Sequence, residues 1–302
     1  MRVNVLGVPS SAGAYCVGVE KAPAALRRAG LGDVLVAGGA EVMDAGDLTT
    51  RRWKPDREHP HVQNLGEEVA SMRELADVAS ILLAEGELLL VLGGSCTVAF
   101  GVCAAVARRG GSPSIVYIDR HLDLNTPSST TEGSLSWMGM AHALGLDGAA
   151  SELVEATQDT AILEPSRLVY LGVDAATEWE RDRVRDLGIT VVPQAELTDH
   201  PRRAALAAWK ALPTGPFVVH LDVDVLDFLD APLAENVNGR NSGPTLAQLE
   251  PALSELLRHP DCVALSIGQL DPAHAVSDDT ALPRLVAVLA SAIAARQLTE
   301  AG

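Results

Sequence analysis

Apolar runs of strand length alternate along this chain with segments of helical period, and that alternation restricts the fold more than any other feature. Strand candidates lie at 3–8, 87–92, 114–119, 167–173, 190–192, 216–222 and 262–267, with a weaker one at 34–36. Between them the spacing predicts helices over 65–85, 96–109, 177–187, 199–211, 245–258 and 278–299. Asn64 reads as an N-cap, and Gly86, Gly110 and Gly188 read as helix stops. This rhythm predicts a mostly parallel sheet with helices on both faces, in a single domain over 1–302. Polar loops are expected at 50–62 and 225–244, and loops of such length are often functional.

In sheets of this kind ligands bind outside the carboxyl ends of the strands. The segment LLLVLGGSCT ends in Gly93, Gly94, Ser95 and Cys96. SIVYID ends in Asp119, and FVVHLDVD delivers Asp222 and Asp224. VALSIGQLDP ends near Gln269 and Asp271. Four strands thus bring polar or ligating groups to one rim.

The formal net charge of −17 argues against nucleic acid or an anionic membrane as the main partner. It is compatible with a cationic small substrate, although an acidic surface that keeps the protein dissolved accounts for most of the charge. The four cysteines, Cys16, Cys96, Cys103 and Cys262, form no CxxC pair and suggest no disulfide framework. No apolar stretch is long enough for a membrane span, and no signal-peptide pattern opens the chain, so a cytoplasmic location is expected.

The segment VYIDRHLDLNTP places Asp119, His121 and Asp123 at every second position. In an extended strand Asp119 and Asp123 would stand about 13 Å apart, too far to share one ion. The chain must therefore curl after Asp119, and the turn-forming residues of DLNTP favour that. Asp222 and Asp224 repeat the alternate spacing on another strand end. Acids converging on one rim repel one another and need cations. One imidazole among carboxylates suits hard or borderline divalent ions such as Mn²⁺, and the ligand supply fits two ions about 3.5–4 Å apart. Each motif taken alone is also compatible with solvated loop acids or helix caps.

Together GGSCT, IDRHLDLNTP and LDVDVLD have the order and spacing of the arginase–agmatinase (ureohydrolase) family, whose usual patterns are GGDHS, DAHxDxNTP and DxDxLDP. GVPSSAGAYCVGVEKAPAALRRAGL and LSIGQLDP resemble its first and last segments, so the likeness spans residues 3–296. The resemblance implies a three-layer αβα sandwich with a sheet of about eight strands, two Mn²⁺ ions, and hydrolysis of a guanidino or amidino group, usually releasing urea. It also implies a homo-oligomer, trimer or hexamer. By position, Asp119 and Asp222 would bridge the ions, Asp123 would complete one shell, and His121 with Asp224 the other. Asp224 would also hydrogen-bond the hydroxide that attacks the guanidinium carbon. Asn125 matches the family's carboxylate-contacting Asn, while Ser134 and Glu132 lie on the loop that follows it.

Several positions depart from the pattern. Cys96 stands where the sixth ligand, a His, is usual, and a thiolate is softer than Mn²⁺ prefers. A Cys here resembles the branch of the family that hydrolyses Nω-hydroxyarginine. Ser136 replaces the proton-shuttling His and cannot titrate as an imidazole does, which points to a substrate with a better leaving group, such as a hydroxyguanidine. Gln269 replaces the guanidinium-binding Glu, and Glu132 could restore the lost charge. Thr177 aligns with the amino-group-binding Asp, and Glu180 fits a nearby Glu. His142 reads as a core or surface residue, and His220 as either a support to the metal site or a core residue. These changes also leave room for amide or acyl-amine hydrolysis on the same scaffold, or for a degenerate homologue that only binds.

Overall fold

The computed structural model describes residues 1–157, 161–237 and 241–300. One sheet holds β1 Arg2–Gly7, β2 Glu41–Asp47, β3 Leu88–Leu92, β4 Ser114–Ile118, β5 Leu168–Val173, β6 Thr190–Pro193, β7 Phe217–Asp222 and β8 Cys262–Gly268. Across the sheet the order is β2-β1-β3-β8-β7-β4-β5-β6, and each pairing is parallel. The expected mostly parallel sheet is thus parallel throughout.

Side chains alternate across a strand, so each central strand feeds two cores. Leu88, Leu90 and Leu92 belong to one buried cluster, and Leu89 and Val91 to the other. Val116 and Ile118 part from Ile115 and Tyr117 in the same way. Both faces are covered, which explains why these strands read as continuous apolar runs. Helices Leu65–Leu82 and Val98–Arg108 close one face, and Leu246–Leu257 and Ala281–Glu300 close the other.

The differences from expectation have local causes. Residues 34–36 are not a strand but part of helix Leu31–Ala37. Leu31 and Leu35, four apart, are buried while Val34 and Val36 are exposed, which is helical spacing. The true neighbour of β1 is β2, an edge strand largely open to solvent and therefore rich in polar residues. Arg27 clamps it through Asp44 and Asp47. Asn64 holds the expected N-cap position but makes no side-chain capping bond; it takes a left-handed conformation (φ 56°), and its Oδ1 accepts from the Lys54 amide at 3.3 Å. That helix ends at Leu82, before Gly86. Of the long loop at 225–244, positions 238–240 lie outside the described residues. Ala234 forms an isolated antiparallel bridge with Leu270, which ties that loop to the segment after β8. Among the described residues no helix is long and apolar enough to cross a membrane.

The strands that carry the candidate ligands, β3, β8, β7 and β4, lie side by side in the middle of the sheet. Leu265 on β8 is fully buried there. Leu265→Ala is expected to lower unfolding stability by about 2–5 kcal/mol, measured from denaturant midpoints; a loss within error would mean that this part of the sheet is loosely packed.

Candidate metal centre

Two strand ends fold back on themselves in the same way. Asp119 Oδ1 accepts the His121 amide at 2.6 Å, and Asp222 Oδ1 accepts the Asp224 amide at 2.8 Å. In each case the first acid closes a turn over its own backbone and brings the next ligand alongside. The curl required after Asp119 is present, because Asp123 adopts a left-handed backbone with φ 49°. Two tyrosines brace it: Tyr117 Oη donates to Asp123 Oδ2 at 2.5 Å, and Tyr170 Oη donates to the Leu122 carbonyl at 2.6 Å.

After β3 the double glycine makes the approach possible. Gly93 and Gly94 are both left-handed, with φ 84° and 90°. A Cβ on Gly93 would fall 2.7 Å from Pro23, and one on Gly94 would fall 2.7 Å from Val98. The chain then enters helix Val98–Arg108 with Cys96 buried, and the Cys96 thiol donates to Asp222 Oδ2 at 2.8 Å. Beneath it, buried Glu68 accepts from the Thr97 hydroxyl.

Ligand atoms of Cys96, Asp119 and Asp123 all lie within 4.8 Å of one another, as do those of Asp119, His121 and Asp224. Asp119 belongs to both groups. Its Oδ2, and Oδ1 of Asp224, are buried with no hydrogen-bond partner. Buried acceptors without donors are costly unless a cation meets them.

The electrostatics agree. Burial, then the charge of Asp224, pushes Asp119 and Asp222 well above the usual carboxylate range. Burial also carries Asp123 up to about 7, against the pull of His121 and the Tyr117 hydroxyl. For His121, burial acts downward but is outweighed by Asp224 and Asp119, and its pKa reaches about 12. Its Nδ1 lies 3.1 Å from Asp224 Oδ2 and 3.3 Å from Asp119 Oδ1. Burial, with Asp123 and Asp222 adding, holds the Cys96 thiol far above its ordinary value, so the thiolate needs a cation beside it. Divalent ions fit this donor set of carboxylates, one imidazole and one thiol.

Beside the centre opens a cavity of about 530 Å³, lined among others by Asn125, Glu132 and Thr177. The Trp137 ring also lines it and lies 5.1 Å from the His121 ring. Ser134 and Ser136 are buried and do not line it; their hydroxyls share a hydrogen bond of 2.7 Å, and Ser134 also donates to the Gly13 carbonyl. Glu180 is buried away from the cavity with both oxygens engaged. One accepts the Leu124 amide, and the other closes a capping box with Thr177, so the segment around Asp123 rests on it. Glu132 is exposed at the cavity wall. Gln269 is 4% exposed with a left-handed backbone (φ 58°) and an unpartnered Oε1.

His142 is a core residue, bonded to the Met138 carbonyl and the Ala150 amide, and burial lowers it to about 4. His220 is fully buried, stacks on Tyr117 and bonds Ser266. Tyr117, Tyr170 and Glu235 also serve the site, Glu235 by lining the cavity, and none belongs to the ligand motifs. Two of them carry a sequence signal: Tyr117 shares a strand face with Asp119, and Glu235 sits in the loop singled out for its length.

A model of the arginase family matches residues 1–295. The chain belongs to the arginase family. An arginase of Agrobacterium fabrum is 29% identical over 98% of this chain and 91% of its own length. An arginase of Bacillus subtilis is 28% identical over 76% of this chain and 77% of its own. The crystal structure of an arginase from Bacillus cereus superposes with a TM-score of 0.85 at 26% identity, covering 98% of each chain. A formimidoylglutamase from Bacillus subtilis shares the fold, with a TM-score of 0.75 at 18% identity over 99% of this chain and 88% of its own. The family is thereby fixed, and no branch within it is singled out.

Divalent metal should therefore stabilise this arginase-family fold. Mn²⁺ at a hundredfold excess over its dissociation constant is expected to add about 2.7 kcal/mol, read as a rise in thermal midpoint. Asp119→Asn should abolish most of that rise. An equal rise in the variant would show that Asp119 is not the shared ligand.

Proposed function

We propose that this protein is a metal-dependent hydrolase that cleaves a C–N bond in a small guanidino or amidino compound. The observation that carries the reading is Asp119, one buried carboxylate common to two adjacent ligand groups. Cys96, Asp119 and Asp123 would hold one Mn²⁺ and Asp119, His121 and Asp224 the other, with Asp222, which accepts from Cys96, as a further ligand. When bound, such a pair activates a water for attack on a planar, electron-poor carbon.

The protein's own groups do the rest. Asp224 orients the nucleophile's proton. Asn125 and Thr177 stand in the cavity wall as neutral hydrogen-bonding groups. The cavity size falls within the range of small-molecule sites. Ser136 carries no group that titrates near neutrality, and its hydroxyl is already paired with Ser134. Proton delivery to a strongly basic leaving amine is therefore weakly served. This favours a modified guanidine such as Nω-hydroxyarginine over free L-arginine. The softness of Cys96 favours unequal metal sites, with one weaker for Mn²⁺ or open to a thiophilic ion.

Incubation of the manganese-loaded protein with arginine, agmatine, guanidinobutyrate and Nω-hydroxyarginine tests the reading. Release of urea or hydroxyurea is expected, fastest from the hydroxyguanidine. No release from any of the four would contradict it. Neutral Gln269 and Ser136 favour the alternative of acyl-amine hydrolysis, and amine release from acylated polyamines without urea would select that instead.

A further inference from the structure

Gln269 gives the cavity no charge, yet one half-buried carboxylate stands beside it. Glu235 lines the cavity together with Cys16, Tyr15 and Trp137. It is tied to the metal side of the molecule through main-chain bonds. The Glu235 amide donates to the Gln269 carbonyl at 2.8 Å, and the Gln269 amide donates to the Gly94 carbonyl at 3.0 Å, two residues before Cys96. The Ala234–Leu270 bridge holds the two segments in register.

The side chains are less well served than the backbone. Glu235 Oε1 takes a 3.6 Å contact from the Cys16 thiol, and the Cys16 amide and the Gln269 side chain also bear on the carboxylate. Glu235 Oε2 and Gln269 Oε1 are buried acceptors with no partner. Among the described ion pairs none involves Glu235. Burial, with the charge of Asp271 adding, pushes its carboxyl up to about 7, while Cys16 and Gln269 pull the other way. A half-buried carboxylate with one unpartnered oxygen and no counter-charge among the described ion pairs, at the edge of a cavity, is a ready partner for a cation. Two neighbouring unpartnered acceptors further favour a ligand with several N–H donors, which a guanidinium or amidinium offers.

We infer that Glu235, backed by the side-chain Oε1 of Gln269, is the residue that positions the cationic group of the ligand beside the metal centre. This deepens the guanidino reading of the same cavity and rests on it. Glu235 adds a half-buried carboxylate to the exposed one that Glu132 brings to the same cavity wall, while Glu180 is engaged elsewhere. The loop at 225–244 thereby gains a specific role, as the carrier of the pocket's selective acid.

The test is calorimetric titration of agmatine, and separately of arginine, into the manganese-loaded full chain. Glu235→Gln is expected to weaken binding at least about tenfold with metal content and thermal midpoint unchanged. Glu235→Asp, which keeps the charge, should retain most of the affinity. The double variant Glu235→Gln with Gln269→Glu, which moves the charge across the pair, should recover binding. In turnover the effect of Glu235→Gln should fall mainly on KM. Wild-type affinity in Glu235→Gln, or equal losses in Glu235→Gln and Glu235→Asp, would overturn the role of Glu235 and leave the proposed reaction standing. Wild-type protein that binds neither compound would overturn the role of Glu235, and one that also fails to bind Nω-hydroxyarginine would overturn both.

Discussion

Mutual repulsion among buried acids dominates the centre of this molecule. Asp119, Asp123, Asp222 and Asp224 are nearly or wholly excluded from solvent, and they come from two strands adjacent in the sheet. Only one basic side chain, His121, lies among their ligand groups. Such a set is held in place by what surrounds it: the turns closed by Asp119 and Asp222, the tyrosines under the Asp123 loop, and the double glycine that brings Cys96 alongside. The fold supplies that frame, and bound divalent cations would supply the charge it lacks.

Much of the architecture was legible in the sequence because its signals are strong and local. Both faces of the central strands are buried, so β3, β4, β7 and β8 appear as unbroken apolar runs. The edge strand β2 was hidden for the same physical reason, since EVMDAGD faces solvent and looks like a loop. The pair Val34 and Val36 misled because a short β-branched stretch has strand composition, whereas the burial of Leu31 and Leu35 makes it a helix. Asn64 stands at the N-cap as its type suggests, but it adopts the left-handed turn that Asn tolerates and gives its side chain to Lys54 instead of the helix.

The site divides along similar lines. Ligand spacing on a strand end is a one-dimensional pattern, so Asp119, His121, Asp123, Asp222 and Asp224 could be picked out before any coordinates. What surrounds a cavity is set by tertiary contact. Glu180 has the residue type expected of a substrate contact, yet it is spent on Leu124 and Thr177. Glu235 sits in a loop without periodicity, and only the Ala234–Leu270 bridge brings it to Gln269. Substitutions at Cys96, Ser136 and Gln269 alter softness, proton transfer and charge in turn, while the surrounding frame keeps its shape. That combination is what a family scaffold turned toward a different guanidino compound would present.

The most direct measurement is anomalous scattering from crystals of the manganese-loaded protein. Two peaks about 3.5–4 Å apart, one on each side of the Asp119 carboxylate, are predicted, with the weaker peak beside Cys96. No peak within reach of Asp119, or a single ion bound by other side chains, would contradict a paired-cation centre.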